Sequence, residues 1–212
     1  MNRYDAGGAS PLTMAILILI LCYLAGGIPF GYLLVKLKTG DDVRAEGSGN
    51  IGATNVLRTQ GRALGVATLV LDAFKGFAAV WVMARFTGGE IPWMSAAAVA
   101  VMLGHIYPVF LKFHGGKAVA TFIGAFAYLT PWPLLGVLIL FVIVVWSTRH
   151  ISLGSVLAAA SFPFGVWLIM HPPAPVLLAA FIAAVLIVYK HKANLERLRA
   201  GTESVFRFGT KS

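Results

Sequence analysis

Residues 12–37 read LTMAILILILCYLAGGIPFGYLLVKL, a stretch in which Lys36 carries the only charge. A helix needs about 20 mostly apolar residues to cross the ~30 Å hydrocarbon core of a bilayer, so this stretch predicts a membrane-spanning segment. The rest of the 212-residue chain has the same character, because 58% of its residues are apolar, 12% are charged and the mean hydropathy is +0.83. Too little polar surface remains to solvate a globule, which excludes a disordered chain, a soluble nucleic-acid-binding protein and a disulfide scaffold.

Seven apolar stretches occur along the chain, separated by charged segments or by segments rich in Gly and Pro. The predicted spans are 12–37, 63–86, 93–113, 118–130, 133–148, 152–171 and 175–189. Stretches of this composition predict an all-α integral membrane protein, a seven-transmembrane-helix bundle. A chain of this length is expected to form one domain, residues 1–212.

The stretch 118–130 is too short to cross a bilayer as a helix, because about 13 residues rise only about 20 Å at 1.5 Å per residue. Either the turn at 113–117 enters the membrane, where non-helical backbone has to line a protein cavity, or the bilayer thins around the short helix. The competing interpretation is that residues 116–132 form one helix that is tilted or offset. The first alternative predicts a polar site near the membrane interface. Geometry alone leaves these alternatives open.

The basic residues are distributed very unevenly between the two sides of the predicted bundle. The net charge is +9, and fourteen Lys and Arg residues fall on one side, whereas the other side has only Arg3 and Arg85. Since positively charged loops stay in the cytoplasm, we expect the N-terminal extension, residues 1–11, outside and the C-terminal segment, residues 191–212, inside. The functional groups should then face the cytoplasm, at short or broken helices.

The first predicted cytoplasmic loop contains the sequence EGSGNIGATNVLR, which ends at Arg58. Its closely spaced glycines, among them Gly47 and Gly49, let the backbone approach an anion, and Arg58 offers a guanidinium fork for phosphate. Neutral donors come from four side chains: Ser48, Asn50, Thr54 and Asn55. The composition predicts a phosphate cradle, with a flexible solvated loop as the alternative, and the Gly-Lys-Ser/Thr ending of a Walker loop is absent.

A second polar segment follows the third predicted span. Gly115, Gly116 and Lys117 precede an apolar helix and are expected to present free backbone N–H groups, a positive helix end and an ammonium to an anion. Pro108 is expected to kink the preceding helix. His105 is a candidate base, with an interfacial or helix-packing histidine as the alternative.

The segment after the last predicted span, residues 190–203, is strongly basic and contains His191 and Asn194. On a helix these two side chains and Leu195 share one face, so the segment is suited to lie along the inner membrane surface. The alternative is a basic anchor of the kind that commonly follows a last span.

Two charged residues, Asp72 and Lys75, lie in the middle of the second predicted span at positions i and i+3. Unpaired, each would cost several kcal/mol in hydrocarbon, so we expect them to pair with each other or to face a polar cavity. The pattern leaves open whether the pair serves function or ties the bundle together. The sequence contains no metal-ligand motif.

Three motifs in these segments resemble those of the PlsY family, the bacterial membrane acyl-phosphate:glycerol-3-phosphate acyltransferases. They are GSGNIGATN at 47–55 followed by Arg58, LGHxxPxFLxFxGGK at 103–117, and HxxNxxRxxxGxE at 191–203. The three motifs stand in the family's order, and all fall on the predicted cytoplasmic side. The resemblance covers essentially the whole chain apart from about the first dozen residues.

The resemblance implies transfer of a fatty acyl group from acyl phosphate to the 1-hydroxyl of glycerol 3-phosphate, which yields lysophosphatidate and inorganic phosphate. It implies an enzyme of the bacterial inner membrane with a cytoplasmic active site and no cofactor, metal or nucleic-acid partner, and it leaves the oligomeric state open, a monomer included. The implied catalytic residues are Ser48, Arg58, Lys117, His191 and Asn194. The implied substrate-binding residues are Gly47, Gly49, Asn50, Thr54, Asn55, His105, Gly115, Gly116, Arg197 and Glu203.

Acyl phosphate is already activated, so positioning and stabilisation of the carbonyl oxyanion are expected to supply much of the catalysis. Two candidates remain for the base, His191 and a phosphate oxygen of the substrate. A covalent intermediate on Ser48 is less attractive because no base neighbours it in the sequence. The non-enzymatic alternative is an anion or lipid-head-group transporter, which should place polar groups on both membrane faces.

Overall fold

The computed structural model describes residues 10–206, and all of the regular secondary structure in this range is helical, which confirms the all-α prediction. The α-helices are α1 (Pro11–Gly26), α2 (Phe30–Thr39), α3 (Ala53–Gln60), α4 (Arg62–Thr87), α5 (Ile91–Ile106), α6 (Val119–Leu129), α7 (Pro131–Thr148), α8 (Ile151–Met170), α9 (Ala174–Lys190) and α10 (Lys192–Arg199). Short 3-10 helices occur at Val43–Ala45 and Val109–Leu111. Most of the predicted N-terminal extension and the end of the C-terminal segment, residues 1–9 and 207–212, lie outside the described residues.

Helices α4, α7 and α8 are long and apolar enough to cross a membrane, and so is the segment Ile91–Leu111, which consists of α5 and the 3-10 helix after it. The pair α1 and α2, bent by 43°, and the pair α9 and α10, bent by 52°, supply two more spans if each pair counts as one. Helix α6 has only 11 residues and is too short. Large apolar side chains such as Trp132 and Phe164 are 69% and 74% exposed, as contact with lipid requires. Residues 10–206 therefore supply four to six spans of an integral membrane protein, and the predicted count of seven is not confirmed.

The predicted span 12–37 is wrong as a continuous helix, because the chain breaks between α1 and α2. Pro29 has no N–H to donate and disfavours helical backbone at Ile28. The carbonyl of Ile28 at this break accepts a hydrogen bond of 2.8 Å from the ammonium Nζ of Lys75. A side chain of α4 thus satisfies a backbone group at the point where the helix is interrupted.

Glycines allow the helix backbones of the bundle to touch. A Cβ atom at Gly124 of α6 would lie 1.7 Å from the carbonyl oxygen of Ala73, and one at Gly76 of α4 would lie 2.1 Å from the carbonyl oxygen of Thr121. Because a real Cβ never approaches an oxygen so closely, both positions require glycine for α4 and α6 to pack at this distance. Small residues at helix contacts are the usual way in which membrane helices pack tightly.

Helix α5 ends at Ile106, so Pro108 follows the end of the helix instead of kinking it as expected. The chain then turns back on the helix end. The N–H of Gly115 donates to the carbonyl of Ile106 at 3.2 Å, and the N–H of Gly116 donates to the carbonyl of His105 at 3.1 Å. These two hydrogen bonds fix the loop against the last turn of α5.

The loop between α5 and α6 excludes one of the alternatives for the short span. Its residues 112–118 are non-helical, and Ala118, immediately before α6, has a φ angle of 57°. The alternative of a single tilted helix over 116–132 is therefore wrong. Irregular backbone precedes α6, and α7 starts only two residues after α6 ends.

Three aromatic rings, those of Phe122, Phe126 and Phe162, form part of the core between α6 and α8. Their centroids lie 4.8 to 5.0 Å apart. Phe126 and Phe162 have no exposed surface, whereas Phe122 also borders the cavity that carries the candidate site. The aromatic cluster gives one side of that cavity a closely packed wall.

Candidate active site

A cavity of about 670 Å³ lies between α3, α4, α6, α7, α8 and the junction of α9 with α10. Three segments that are far apart in the sequence meet on its wall, from residues 47–58, 117–120 and 191–204. Every predicted site residue lines this cavity except Gly49, Gly115 and Gly116. Most of the remaining wall is apolar and comes from α4, α6, α7 and α8.

Asn55 organises the glycine-rich loop before α3. Its Oδ1 accepts hydrogen bonds from the N–H of Ser48 at 2.9 Å and from the hydroxyl of Ser48 at 3.2 Å. Its Nδ2 donates to the carbonyls of Val43 at 3.2 Å and Glu46 at 3.1 Å. Because both amide hydrogens have backbone acceptors, the expectation that Asn55 supplies a free donor to an anion is wrong. Its side chain instead shapes the loop that carries Ser48.

The start of α3 and the guanidinium of Arg58 form the first candidate anion-binding element on the cavity wall. Asn50 accepts a hydrogen bond of 2.8 Å from the N–H of Gly52, the residue that directly precedes the helix. The first helical residues, Ala53 and Thr54, line the cavity. Arg58 lies one helical turn after Thr54 and forms no ion pair within residues 10–206. A helix N-terminus next to an unneutralised guanidinium favours a phosphate.

A hydrogen-bond network centred on Glu203 orients the second cation. Nδ2 of Asn194 and the hydroxyl of Ser152 donate to one carboxylate oxygen of Glu203 at 2.7 and 2.8 Å. Nε of Arg197 donates to the other carboxylate oxygen at 2.8 Å. The Oδ1 of Asn194 in turn accepts a hydrogen bond from the ammonium of Lys117. The charge of Arg197 is thus neutralised by Glu203, whereas Lys117 is held by a neutral amide.

The protonation states follow from burial and from this network. Burial lowers the pKa of Lys117 to about 8, and neighbouring arginines act in the same direction, whereas Glu203 opposes the shift. Burial by itself would raise the pKa of the Glu203 carboxyl, but hydrogen bonds from Asn194, Ser152 and Arg197 outweigh it and hold the pKa below its usual value. At pH 7 the Lys117 ammonium and the Glu203 carboxylate are both charged.

His191 lies between α9 and α10, and its ring faces the cavity as a neutral group. Its Nδ1 is 2.8 Å from the carbonyl oxygen of Ile187, and because a carbonyl only accepts, Nδ1 carries the hydrogen. Burial and the nearby Lys117 ammonium lower the pKa of His191 to about 4. At neutral pH His191 is therefore not a cation. Its Nε2 has a lone pair and can accept a hydrogen bond from a hydroxyl.

The two glycines before Lys117 do not play the expected part. The N–H groups of Gly115 and Gly116 are hydrogen bonded to carbonyls at the end of α5, so they are not free to bind an anion. Neither glycine lines the cavity, whereas Ala118, Val119 and Ala120 do. Helix α6 starts at Val119, after Ala118. The N–H groups that are free at its start therefore belong to residues that follow the two glycines.

The charged residues of α4 pair with each other, as expected. Nζ of Lys75 lies 2.7 Å from Oδ1 of Asp72, and both side chains are buried. Asp72 also lines the cavity, next to His105. The two alternatives for this pair, a structural contact and a place beside a polar cavity, are thus combined in one arrangement.

Sequence reasoning missed two serines of α8 and the apolar part of the wall. Ser152 and Ser155 are buried and line the cavity, and Ser152 binds Glu203. Their spacing of three residues on an otherwise apolar helix was a signal that both share one face. The apolar wall residues have no such signal, because every apolar residue of a membrane helix looks alike in sequence. Among residues 10–206 no three His, Cys, Asp or Glu side chains cluster closely enough to hold a metal ion.

A helical membrane bundle that encloses unpaired cations beside an apolar wall has the features of an integral membrane enzyme that acts on an amphiphilic anion. Comparison with known proteins gives the specific assignment. The profile of the glycerol-3-phosphate acyltransferase family matches residues 16–201, and the chain belongs to this family. Membership makes it an acyltransferase of phospholipid synthesis and argues against the transporter alternative.

Two relatives and two solved structures illustrate the similarity. The glycerol-3-phosphate acyltransferase of Geobacter sulfurreducens is 47% identical over 91% of this chain and 97% of its own length. That of Geotalea daltonii is 46% identical over 92% of this chain and 100% of its own length. Crystal structures of PlsY (YgiH), an integral membrane glycerol 3-phosphate acyltransferase, superpose with TM-scores of 0.86 for the glycerol 3-phosphate form and 0.83 for the lysophosphatidic acid form. Their sequences are 37% and 35% identical to this chain, and each match covers 92% of this chain and 96% of the other.

Proposed function

We propose that this enzyme transfers a fatty acyl group from acyl phosphate to the sn-1 hydroxyl of glycerol 3-phosphate and releases lysophosphatidate and inorganic phosphate. The observation that carries the proposal is one cavity in which Arg58 and Lys117, both without a carboxylate partner within residues 10–206, lie beside an apolar wall. Each substrate brings one phosphate, and one of them brings a fatty chain. The glycerol 3-phosphate and lysophosphatidic acid forms of PlsY support the acceptor and the product.

The proposed reaction balances without an external reagent. The acceptor hydroxyl oxygen forms a bond to the acyl carbonyl carbon, and the bond between that carbon and the phosphate oxygen breaks. The electron pair of the broken bond stays on the leaving phosphate, and the hydroxyl proton has to leave the acceptor oxygen. Two cations in one cavity offset the repulsion between the two phosphates and hold the reacting groups together.

The departing phosphate is our choice for the group that takes the proton. The pKa of about 4 makes neutral His191 a weak base, whereas the departing phosphate gains negative charge as its bond to the acyl carbon breaks and becomes a stronger base. Nε2 of His191 then accepts a hydrogen bond from the acceptor hydroxyl and orients it. Ser48, Asn194 and the backbone N–H groups at the starts of α3 and α6 surround the phosphates and the developing oxyanion.

The topology completes the proposal. We assign the catalytic domain to the whole chain, 1–212, with the N-terminal extension outside and the C-terminal segment in the cytoplasm, because Lys and Arg concentrate on the side of the cavity that carries Arg58 and Lys117. In a bacterial inner membrane the site then faces the cytoplasm, where glycerol 3-phosphate is dissolved. Helix α6 and the non-helical residues before it together make a seventh, interrupted crossing.

The test is stoichiometric product formation by the purified protein in detergent or in vesicles. We expect palmitoyl phosphate and glycerol 3-phosphate to give lysophosphatidate and inorganic phosphate in equal amounts, and neither product when the acceptor is omitted. The Arg58→Ala variant should lose the activity. Arg85→Ala removes a cation that does not line the cavity and should retain the activity. Acylation of glycerol 3-phosphate from palmitoyl thioesters, with no product from palmitoyl phosphate, would overturn the assigned donor.

A further inference from the structure

Three ionisable side chains are buried beside the cavity and have no part in the proposed reaction. They are Asp72, Lys75 and His105, each no more than 5% exposed. Lys75 contacts Asp72 at 2.7 Å and donates to the carbonyl of Ile28 at 2.8 Å. The ammonium neutralises the carboxylate and anchors the pair at the break between α1 and α2. Buried ionisable groups are costly in a membrane bundle, so three of them in contact indicate a functional role.

The imidazole of His105 fills the space between this ion pair and the loop that carries Lys117. Its Nδ1 lies 3.6 Å from Oδ1 of Asp72, beyond hydrogen-bond distance, and has no other partner within residues 10–206. The other side of the ring packs on Gly116, where an added Cβ would lie 2.2 Å from Nε2. The backbone carbonyl of His105 also accepts the N–H of Gly116 at 3.1 Å.

We propose that His105 is a positioning residue that holds Lys117 in place for the phosphate of a substrate, with Asp72 orienting its ring. The proposal rests on the proposed function, because it assumes that Lys117 binds a phosphate. Residue 116 is clamped by the ring and by the backbone hydrogen bond, and the next residue in the chain is Lys117. A flexible four-carbon side chain reaches a fixed point only if its own backbone is fixed.

Asp72 completes the arrangement. Closure of the 3.6 Å gap to Nδ1 by less than about 1 Å gives a normal hydrogen bond, and contacts in catalytic sites often tighten in this way when substrate binds. With Nδ1–H directed at the carboxylate, the ring keeps one orientation against Gly116. The ion pair with Lys75 holds Asp72 itself, so the chain of contacts runs from the α1–α2 break to the cavity.

The decisive experiment is a double-mutant cycle between His105 and Lys117. His105→Asn keeps a polar group near Asp72 but removes the edge of the ring that packs on Gly116. We expect His105→Asn to lower kcat/KM for glycerol 3-phosphate roughly tenfold, because a misplacement of about 1 Å costs a catalytic group much of its effect. In the Lys117→Met background the same substitution should lower kcat/KM by less than about twofold, because nothing remains to be positioned.

A merely structural histidine gives a different result. In that case His105→Asn lowers kcat/KM by the same factor in both backgrounds, or leaves it unchanged, and either outcome overturns the proposal. The matched control is Ser95→Ala, which removes a buried polar group from the same helix, 3% exposed, and should change kcat/KM little in either background. The melting temperature of each variant is measured alongside.

A second variant covers the case in which His105→Asn does not fold. The methyl group added by Gly116→Ala would clash with the His105 ring. We expect this variant to lower kcat/KM at least fivefold in the unmodified protein but not in the Lys117→Met background. Equal losses in both backgrounds contradict the proposal here too. All rates are measured with the acyl donor that the unmodified protein accepts, so an unexpected donor would overturn the proposed function and leave this test intact.

Discussion

The apolar wall of the cavity should select the length of the acyl chain, and Ala159 of α8 is the position at which to test this. Ala159 is 2% exposed and lines the cavity. It lies eight residues after Ile151, the first residue of α8, which places it about 12 Å along the helix at 1.5 Å per residue. Phe122 of α6 lines the same cavity and packs against the rings of Phe126 and Phe162. A larger side chain at position 159 therefore has little room to move aside.

The perturbation is Ala159→Phe, which adds a phenyl ring inside the cavity. In a closely packed space the ring displaces on the order of three methylene groups of a long acyl chain. Each excluded methylene loses about 0.8 kcal/mol of burial, which totals about 2.4 kcal/mol. At about 1.4 kcal/mol for each factor of ten, kcat/KM for the long chain should fall roughly 50-fold relative to a chain too short to reach the ring.

The assay compares palmitoyl phosphate with octanoyl phosphate as donors for the same enzyme preparation. The matched control is Ala160→Phe, because the next residue of α8 is exposed and lines a different groove, between α8 and α9. We expect Ala159→Phe to shift the ratio of the two kcat/KM values and Ala160→Phe to leave it unchanged. An unchanged ratio in Ala159→Phe, or the same shift in both variants, would refute the acyl-binding role of this wall.

Three further predictions concern the polar side of the cavity. Since the charged form of Lys117 is lost as the pH rises through its pKa of about 8, the KM for glycerol 3-phosphate should rise about tenfold per unit above pH 8. Lys117→Arg should remove this rise, as KM measured between pH 7 and 9.5 will show. Arg58→Lys, which loses the bidentate fork, should lower kcat/KM about tenfold in steady-state assays, and full activity would exclude a guanidinium-specific contact. Glu203→Gln removes the carboxylate partner of Arg197, so the melting temperature should fall by roughly 5 °C. It also removes a charge that raises the pKa of Lys117, so the rise in KM should move to lower pH. An unshifted pH profile would show that Glu203 does not affect Lys117.

The sequence alone predicted the long apolar helices well, since α4, α7 and α8 agree with the predicted spans to within two residues at each end. It failed where a helix is interrupted. Pro29 interrupts the helix at Ile28, but the donor that satisfies the Ile28 carbonyl is Lys75, which is 47 residues away in the chain, and no local pattern reveals such a partner. The irregular backbone before α6 likewise depends on contacts with the end of α5.

Sequence patterns also identified residue types for the site better than the roles of individual residues. Asn55 and Gly115 stand in a polar, glycine-rich context that suits anion binding, yet their polar groups are used within the protein. The charge of His191 depends on burial and on Lys117, which approaches from another part of the chain. Partners and burial are properties of the folded bundle, so the sequence limits the candidates but does not assign their hydrogen bonds.

The interruptions of the helices and the site are one feature of this bundle. Each interruption exposes backbone carbonyls that have to find donors inside a membrane protein. Lys75 supplies a donor to the first break, and the ring of His191 supplies one to the carbonyl of Ile187 at the bend between α9 and α10. The N–H groups of Gly115 and Gly116 supply donors at the end of α5. Of these groups His191 lines the cavity, Lys75 pairs with the cavity residue Asp72, and the two glycines directly precede Lys117, so a bundle of uninterrupted helices would have neither the broken ends nor this polar wall.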